Sequence, residues 1–554
     1  MDVALEGAPS LVQPRRPKLY EAGLFLVVVV VPIAFLPISS SPFADLKLVA
    51  LALGVMLLWA SAPPVERTIA ILAGCWFGVS VLASIFGVDP GRSLTGNENA
   101  PAGLALVLAS AYLVSVGAAM PREYRERLPR WLASTASVVA ALVVLWRIAP
   151  GIFSFMPRLQ LTGSTLGSGP FMAAFLALGL VALAPLRLPM WRSIAGAALF
   201  GLALGGTPHR LALVSTAIGF VFSVWHCDAP RRAVAAIGIT ALLAFLLWGL
   251  WPAQDLVSPG ASAPALEQTF TGKPPDSRRL SVLVAVVKAT ETRPILGWGP
   301  GNTLSSWLTG AQPGNFPRDE SFADAHNIFI EQLSATGFVG VLAFLALVGT
   351  LARRMLRRPR PTGWLAGAVV VLVLLHLFEP LNVAMTSLGF LILGVAVSRD
   401  GAAAAEPFAK WRPTRIATGA LLFGMVVISL LTLTSSVLEQ YEKTYFTPDH
   451  GGLRIAAMIT PWRIASTADL AIQLAADGRS GNQARGVEAR QLVQQMLQEH
   501  PEYPPAYLDA LLVYELLMDP KGAAPVLDQF KQRFPLAPQP VFTLGPGGSA
   551  GPGA

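Results

Sequence analysis

Thirteen apolar runs, each close to the length that crosses about 30 Å of hydrocarbon, divide the chain between residues 20 and 437. They fall near 20–38, 46–62, 68–87, 102–120, 131–149, 170–186, 191–206, 209–226, 233–251, 327–352, 362–378, 382–398 and 414–437. In lipid every backbone amide and carbonyl needs a partner inside the protein, so runs of this length read as helices. Composition agrees, since 53% of the 554 residues are hydrophobic and only 13% are charged, too apolar for a soluble chain of this size. The expected fold class is all-α, a polytopic membrane protein with about 12–13 transmembrane helices.

Positive loops stay on the cytoplasmic side. With the N-terminus inside, twenty-one Lys and Arg residues fall in inner segments, and only Lys47, Arg92, Arg147, Arg158 and Arg210 lie in short outer loops or at their helix edges. This asymmetry accounts for the net charge of +8 without nucleic acid, which is not an expected partner. The PRRPK stretch (14–18) enters the first apolar run with no small-residue cleavage site after it, which predicts a retained first helix. Cys75 and Cys227 stand far apart and suggest neither a disulfide framework nor metal-ligand spacing.

The parity of crossings places two long segments outside. Residues 252–326 are too many for a simple connector; 277–293 read as a helix capped by Asp276 or Ser277. That helix closes on RPILGWGPGN (293–302), whose Gly297, Gly299 and Gly301 suit a tight turn. The expected organisation is an inner tail at 1–19 and a transmembrane domain at 20–400 containing the 252–326 loop. A linker and last transmembrane helix follow at 401–438, then an outer helical domain at 439–540 and a flexible Gly/Pro-rich tail at 541–554. Within the outer domain, 468–478, 487–501, 506–519 and 524–535 read as amphipathic helices. Pro501 and Pro535 are spaced as in tetratricopeptide-like helix pairs, and a small helical domain without a repeat is the equal alternative. This domain is the candidate surface for a protein partner.

Ionisable residues at membrane depth are costly and often mark function. Arg210 opens the eighth crossing after His209, Arg279 follows Arg278 at the start of the outer-loop helix, and His326 precedes Asn327 at the tenth crossing. Each has an ordinary explanation: a snorkelling anchor, a solvated loop cation, a capping residue. The charge count, made independently, puts Arg210, Arg279 and His326 on one side of the membrane. Two arginines can neutralise a phosphate or diphosphate, and a neutral histidine can take a proton from an attacking hydroxyl. That set suits glycosyl transfer from a lipid diphosphate. Asp45, Asp89, Asp324 and Glu379 also lie outward, but their spacing does not support a metal, and no metal or cofactor is expected. Glu331 follows His326 by five residues, about 140° around a helix, which suits support better than chemistry. A transporter or flippase of lipid-linked glycans would favour charges at mid-membrane and internal repeats, neither of which is clear here. A scaffold would not need so many crossings.

The stretch HNIFIEQLSATGFVG (326–340), with SIFGVDPGRSLTGNENAPAG (84–103) and the Arg279 helix leading into PILGWGPGN (294–302), resembles the O-antigen ligase/polymerase superfamily over roughly residues 20–400. Where that family usually has Ser-Arg-Gly, this chain has His209-Arg210-Leu211. The resemblance implies an enzyme of the bacterial inner membrane, with its C-terminal domain in the periplasm. It implies a metal-independent, inverting glycosyltransferase that takes a glycan from undecaprenyl diphosphate. His326 would activate or position the acceptor hydroxyl, Arg210 and Arg279 would bind the donor diphosphate, and Asn327, Glu331, Arg278 and His209 would support them. Lipid A core is the expected acceptor, as in O-antigen ligation for lipopolysaccharide; a polymerase, or an oligosaccharyltransferase acting on protein, uses a similar set.

Overall fold

In the computed structural model, the structure describes residues 14–96, 103–149, 165–206, 210–226, 231–249, 277–311, 324–357, 363–379, 381–398, 405–407, 412–445, 447 and 449–535. Each of the thirteen apolar runs contains helix. Arg67–Ile85, Arg122–Trp146, Ile328–Leu356 and Pro413–Tyr445 are long and apolar enough to cross a membrane by themselves; the others are shorter apolar helices. The fold is an all-α, polytopic membrane bundle. Its interior is apolar on almost every face of the helices Leu104–Ala118, Gly169–Leu183 and Val383–Val397, the pattern of helices surrounded by other helices. Small residues let backbones approach: a Cβ on Gly117 would lie 2.5 Å from the Leu391 carbonyl, and one on Gly394 2.4 Å from that of Val114.

The bundle has two distinct ends. At one, Pro64–Glu66 pairs antiparallel with Ala405–Pro407, Arg354 reaches Glu66 at 3.1 Å, and the Tyr124 hydroxyl donates to the Pro17 carbonyl. At the other lie Asp45, Asp89, the 294–302 turn and His326, and there the C-terminal helices are seated.

The helix Ile328–Leu356 is broken at Gly337, whose φ of 62° and ψ of −165° are not helical. A break strands carbonyls before it and amides after it, and the 294–299 turn satisfies both. Trp298 N donates to the Ser334 carbonyl (2.8 Å) and Gly299 N to that of Ala335 (3.0 Å), while Phe338 N donates to the Pro294 carbonyl (2.8 Å). The approach requires glycine on both partners. A Cβ on Gly337 would lie 2.4 Å from the Ile295 carbonyl, and one on Gly297 would lie 2.4 Å from that of Ser334.

The C-terminal domain comprises helices Gly451–Ile459, Ile464–Arg479, Gln483–Glu499, Pro504–Leu516 and Pro520–Arg533, packed around Leu474, Val493, Tyr507 and Phe530. Its apolar core is continuous with Val282, Trp307 and Ala325 of the 252–326 segment. The helix before it runs Arg412–Tyr445, so the expected boundary at 438 falls inside a helix. Beyond that point Glu439 is buried against Arg463 of the C-terminal domain, 3.4 Å away.

Polar contacts fix the domain to the bundle. His500 Nδ1 lies 2.9 Å from Asp89 Oδ2, Arg293 pairs with Glu502 at 2.9 Å, and the Arg92 guanidinium sits 4.0 Å over the Tyr503 ring. Burial alone would raise the Asp89 carboxyl, but the His500 contact and the Arg92 backbone N–H outweigh it and hold the group below the ordinary aspartate range. A depressed carboxyl stabilises its contacts above the unfolded value, and that contribution is lost as pH falls through the folded one.

Two outcomes follow. Gly337→Ala should cost about 2 kcal/mol through its positive φ and the close carbonyl, lowering the thermal midpoint of the detergent-solubilised chain, while Gly349→Ala, where a Cβ meets nothing within 4 Å, should not. Asp89→Asn should raise hydrogen exchange around residues 500–503 at neutral pH, and wild type should show the same loosening below about pH 4.

Candidate active site

His326 is not the first helical residue. Asn327 occupies the N-cap position, its side-chain oxygen accepting from the backbone N–H groups of Phe329 (2.9 Å) and Ile330 (3.2 Å). His326 therefore stands one residue outside the helix, at φ 52°, and the expected angular relation to Glu331 around a shared helix does not apply. A non-glycine residue in this region is strained and persists where surrounding contacts hold it. Those contacts are local. His326 N donates to Asp324 Oδ1 at 2.9 Å, and the ring Nδ1 lies 2.8 Å from the same oxygen. The ring is 24% exposed and the Asp324 side chain 10%, so the imidazole is reachable while its orienting carboxylate is sheltered. With Nδ1 held by a carboxylate, a neutral imidazole presents Nε2 as an acceptor.

Glu331 lies beneath this turn, buried. Its carboxylate accepts from the Thr303 hydroxyl (2.6 Å) and from Ala325 N (2.9 Å). It joins the Thr303–Gly310 helix to the residue that precedes His326. One turn along, Ser334 donates to Ser306 at 3.0 Å. Asn302, buried just before Thr303, reaches Ser93 Oγ at 3.0 Å and the Asp89 carbonyl at 3.3 Å. Thus the Asp89 turn, the glycine-rich turn and the His326 turn form one polar framework. Asn327 adds a link, its side-chain amide donating to the Leu377 carbonyl at 2.9 Å.

The two arginines are placed by their backbones. Arg279 belongs to the first turn of Ser277–Thr290, as does Arg278, one turn ahead of Val282, which shares an apolar cluster with Ala325. Arg210 begins Arg210–His226, which packs along Gly363–Phe378. Their contacts run antiparallel, Ser223 against Gly367 and Gly219 against Val371. Counting back from them puts Arg210 level with the end of the Gly363–Phe378 helix, where Leu377 holds Asn327. All three elements reach the same end of the bundle. The side chains of Arg210, Arg278 and Arg279, and all of His209, lie outside the described residues.

Two participants were not singled out from sequence. Asp324 counted only as one outward acid among several, although its position two residues before His326, ahead of a capping Asn, is a readable signal. Thr303 carried none, because its partner Glu331 comes from another part of the chain.

No curated protein matches the chain. Residues 195–345, which include Arg210, Arg279 and His326, match the family model described as O-Antigen ligase. That match, on a helical membrane bundle, supports the O-antigen ligase superfamily and, in general terms, glycan transfer of the ligase or polymerase type.

Proposed function

We propose that the protein transfers a glycan from undecaprenyl diphosphate to an acceptor hydroxyl at the periplasmic face of the inner membrane, and that the acceptor is lipid A core. The observation that carries this reading is the Asp324–His326 pair at 2.8 Å, on a strained turn at the bundle end shared with the helix starts of Arg210 and Arg279. Asp324 keeps the ring proton on Nδ1, so Nε2 takes the proton of the acceptor hydroxyl as its oxygen attacks the anomeric carbon. The bond to the diphosphate oxygen breaks, and Arg210 and Arg279 stabilise the charge that develops there. Attack opposite the leaving group inverts the anomeric centre. Chain residues supply each role, so the proposed reaction is metal-independent. Glu331, Asn327, Arg278 and His209 serve as support, Glu331 by holding the backbone amide of Ala325.

Reconstitution with a polyprenyl-diphosphate glycan and, separately, lipid A core, a second lipid-linked glycan or an acceptor protein tests the assignment. Transfer to lipid A core alone is the expected result; transfer to a second lipid-linked glycan would make the protein a polymerase. His326→Ala should abolish transfer without impairing insertion, and Asp324→Asn should lower kcat by about 10²-fold with little change in KM. Full activity in the His326 variant would remove it from the mechanism. Arg279→Lys keeps the charge but loses the planar fork, and should cost about 10²-fold in rate; an unchanged rate would argue against bidentate binding of the diphosphate.

A further inference from the structure

A second polar site lies apart from the His326 turn, where the C-terminal helices meet the bundle. A cavity of about 130 Å³ opens there between Asp45, Arg92 and Thr432 on the membrane side and Trp462, Tyr503 and Asp509 on the other. Three of its lining residues hold buried polar atoms with no hydrogen-bond partner among the described residues: Arg92 Nη1, Thr432 Oγ1 and Trp462 Nε1. Arg92 is only 7% exposed and Thr432 6%. The Arg92 guanidinium rests on the Tyr503 ring at 4.0 Å, a contact that positions it without satisfying Nη1. Buried polar atoms without partners are costly and uncommon in folded proteins, so several around one void indicate a polar guest.

The balance of charge selects among guests. Arg92 and Arg463 bring cations to the cavity, and Asp45 and Asp509 bring carboxylates. A phosphate or diphosphate would meet both acids, whereas a neutral polyhydroxyl ring can accept from the arginine and indole N–H groups and donate to the carboxylates. The rings of Trp462 and Tyr503 supply apolar faces of the kind that pack on sugar C–H groups. The void holds a single ring rather than a polymer.

We infer that this cavity is a subsite for one neutral sugar residue of the transferred glycan, an inference that rests on the glycan-transfer reading above. It is tied to the proposed chemistry through the bundle: Arg92 belongs to the Pro90–Thr95 helix, whose Ser93 holds Asn302, the residue before the Thr303 that bonds Glu331. A sugar seated there orients the remainder of the glycan relative to His326 and sets preference for its composition.

The test is ligand-detected NMR titration of the full chain in nanodiscs with glucose, galactose, mannose, N-acetylglucosamine and inorganic phosphate. At least one neutral sugar should bind in the millimolar range. Trp462→Phe, which keeps an aromatic ring and loses the indole N–H, and Arg92→Gln should each weaken it about 10-fold. His326→Ala should bind the sugar as wild type does. Saturation by none of the sugars, preferential binding of phosphate, or unchanged affinity in a folded Trp462→Phe variant overturns the subsite. Sugar binding that survives in His326→Ala while His326→Ala retains full transfer would instead overturn the proposed mechanism and leave the subsite standing.

Discussion

The repair of a broken helix governs this structure. Gly337 interrupts the helix that starts after His326, and the interruption would leave backbone donors and acceptors unpaired inside an apolar bundle, where each costs several kcal/mol. The 294–299 turn supplies the missing partners from outside the helix. Because those bonds are backbone to backbone and the two chains touch at glycines, the turn has little freedom to slide. Everything attached to it inherits that position: Asn302 on the Asp89 turn, Thr303 on Glu331, and through Glu331 the amide of Ala325 beside His326. The geometry at His326 is therefore set by a chain of short polar contacts whose anchor lies below it in the helix.

The C-terminal helices are part of the same framework. Their core continues into Val282, Trp307 and Ala325, and Arg293, which opens the glycine-rich turn, pairs with Glu502. The domain thus covers the end of the bundle that holds the His326 turn and the starts of the helices Arg210–His226 and Ser277–Thr290. Its placement there also brings the unpartnered indole nitrogen of Trp462 to the cavity that Arg92 lines. A domain attached only by a linker would not share a core with the loop beneath it.

Much of this was legible from the residues, and the exceptions have physical causes. Hydrocarbon length and backbone satisfaction are local constraints, which is why every apolar run proved to contain helix. The break at Gly337 was not visible because Gly349 stands in the same apolar run and is plain helix; only the distant turn distinguishes them. His326 read as the start of a helix because Asn327, its actual cap, also suits a helix interior when the chain is scanned by hydropathy. The last membrane helix continued past 438 because Glu439 and Glu442, which look like surface residues in sequence, are buried against the C-terminal domain. Thr303–Gly310 was missed since it follows a glycine-rich turn and is held by Glu331, a partner no local pattern reveals. At the candidate site, the motif HNIFIE singled out the His326 turn, but the contact between Asp324 and His326 required the geometry.

The strand pairing at the opposite end bears on how the protein is made. Pro64–Glu66 finds its partner only when Ala405–Pro407 has been synthesised, and the Trp59 indole donates to the Arg415 carbonyl across 356 residues of sequence. The early hairpin formed by the first helix and Asp45–Ala60 must wait in the membrane with one flank uncovered until the helix Arg412–Tyr445 arrives to pack against it. Ser40 then meets Ser436 and Glu439 at the far end of that helix. Closure of the bundle on this flank and seating of the C-terminal domain both depend on the helix Arg412–Tyr445, and a chain cut short before residue 412 lacks the helix that completes its oldest pair.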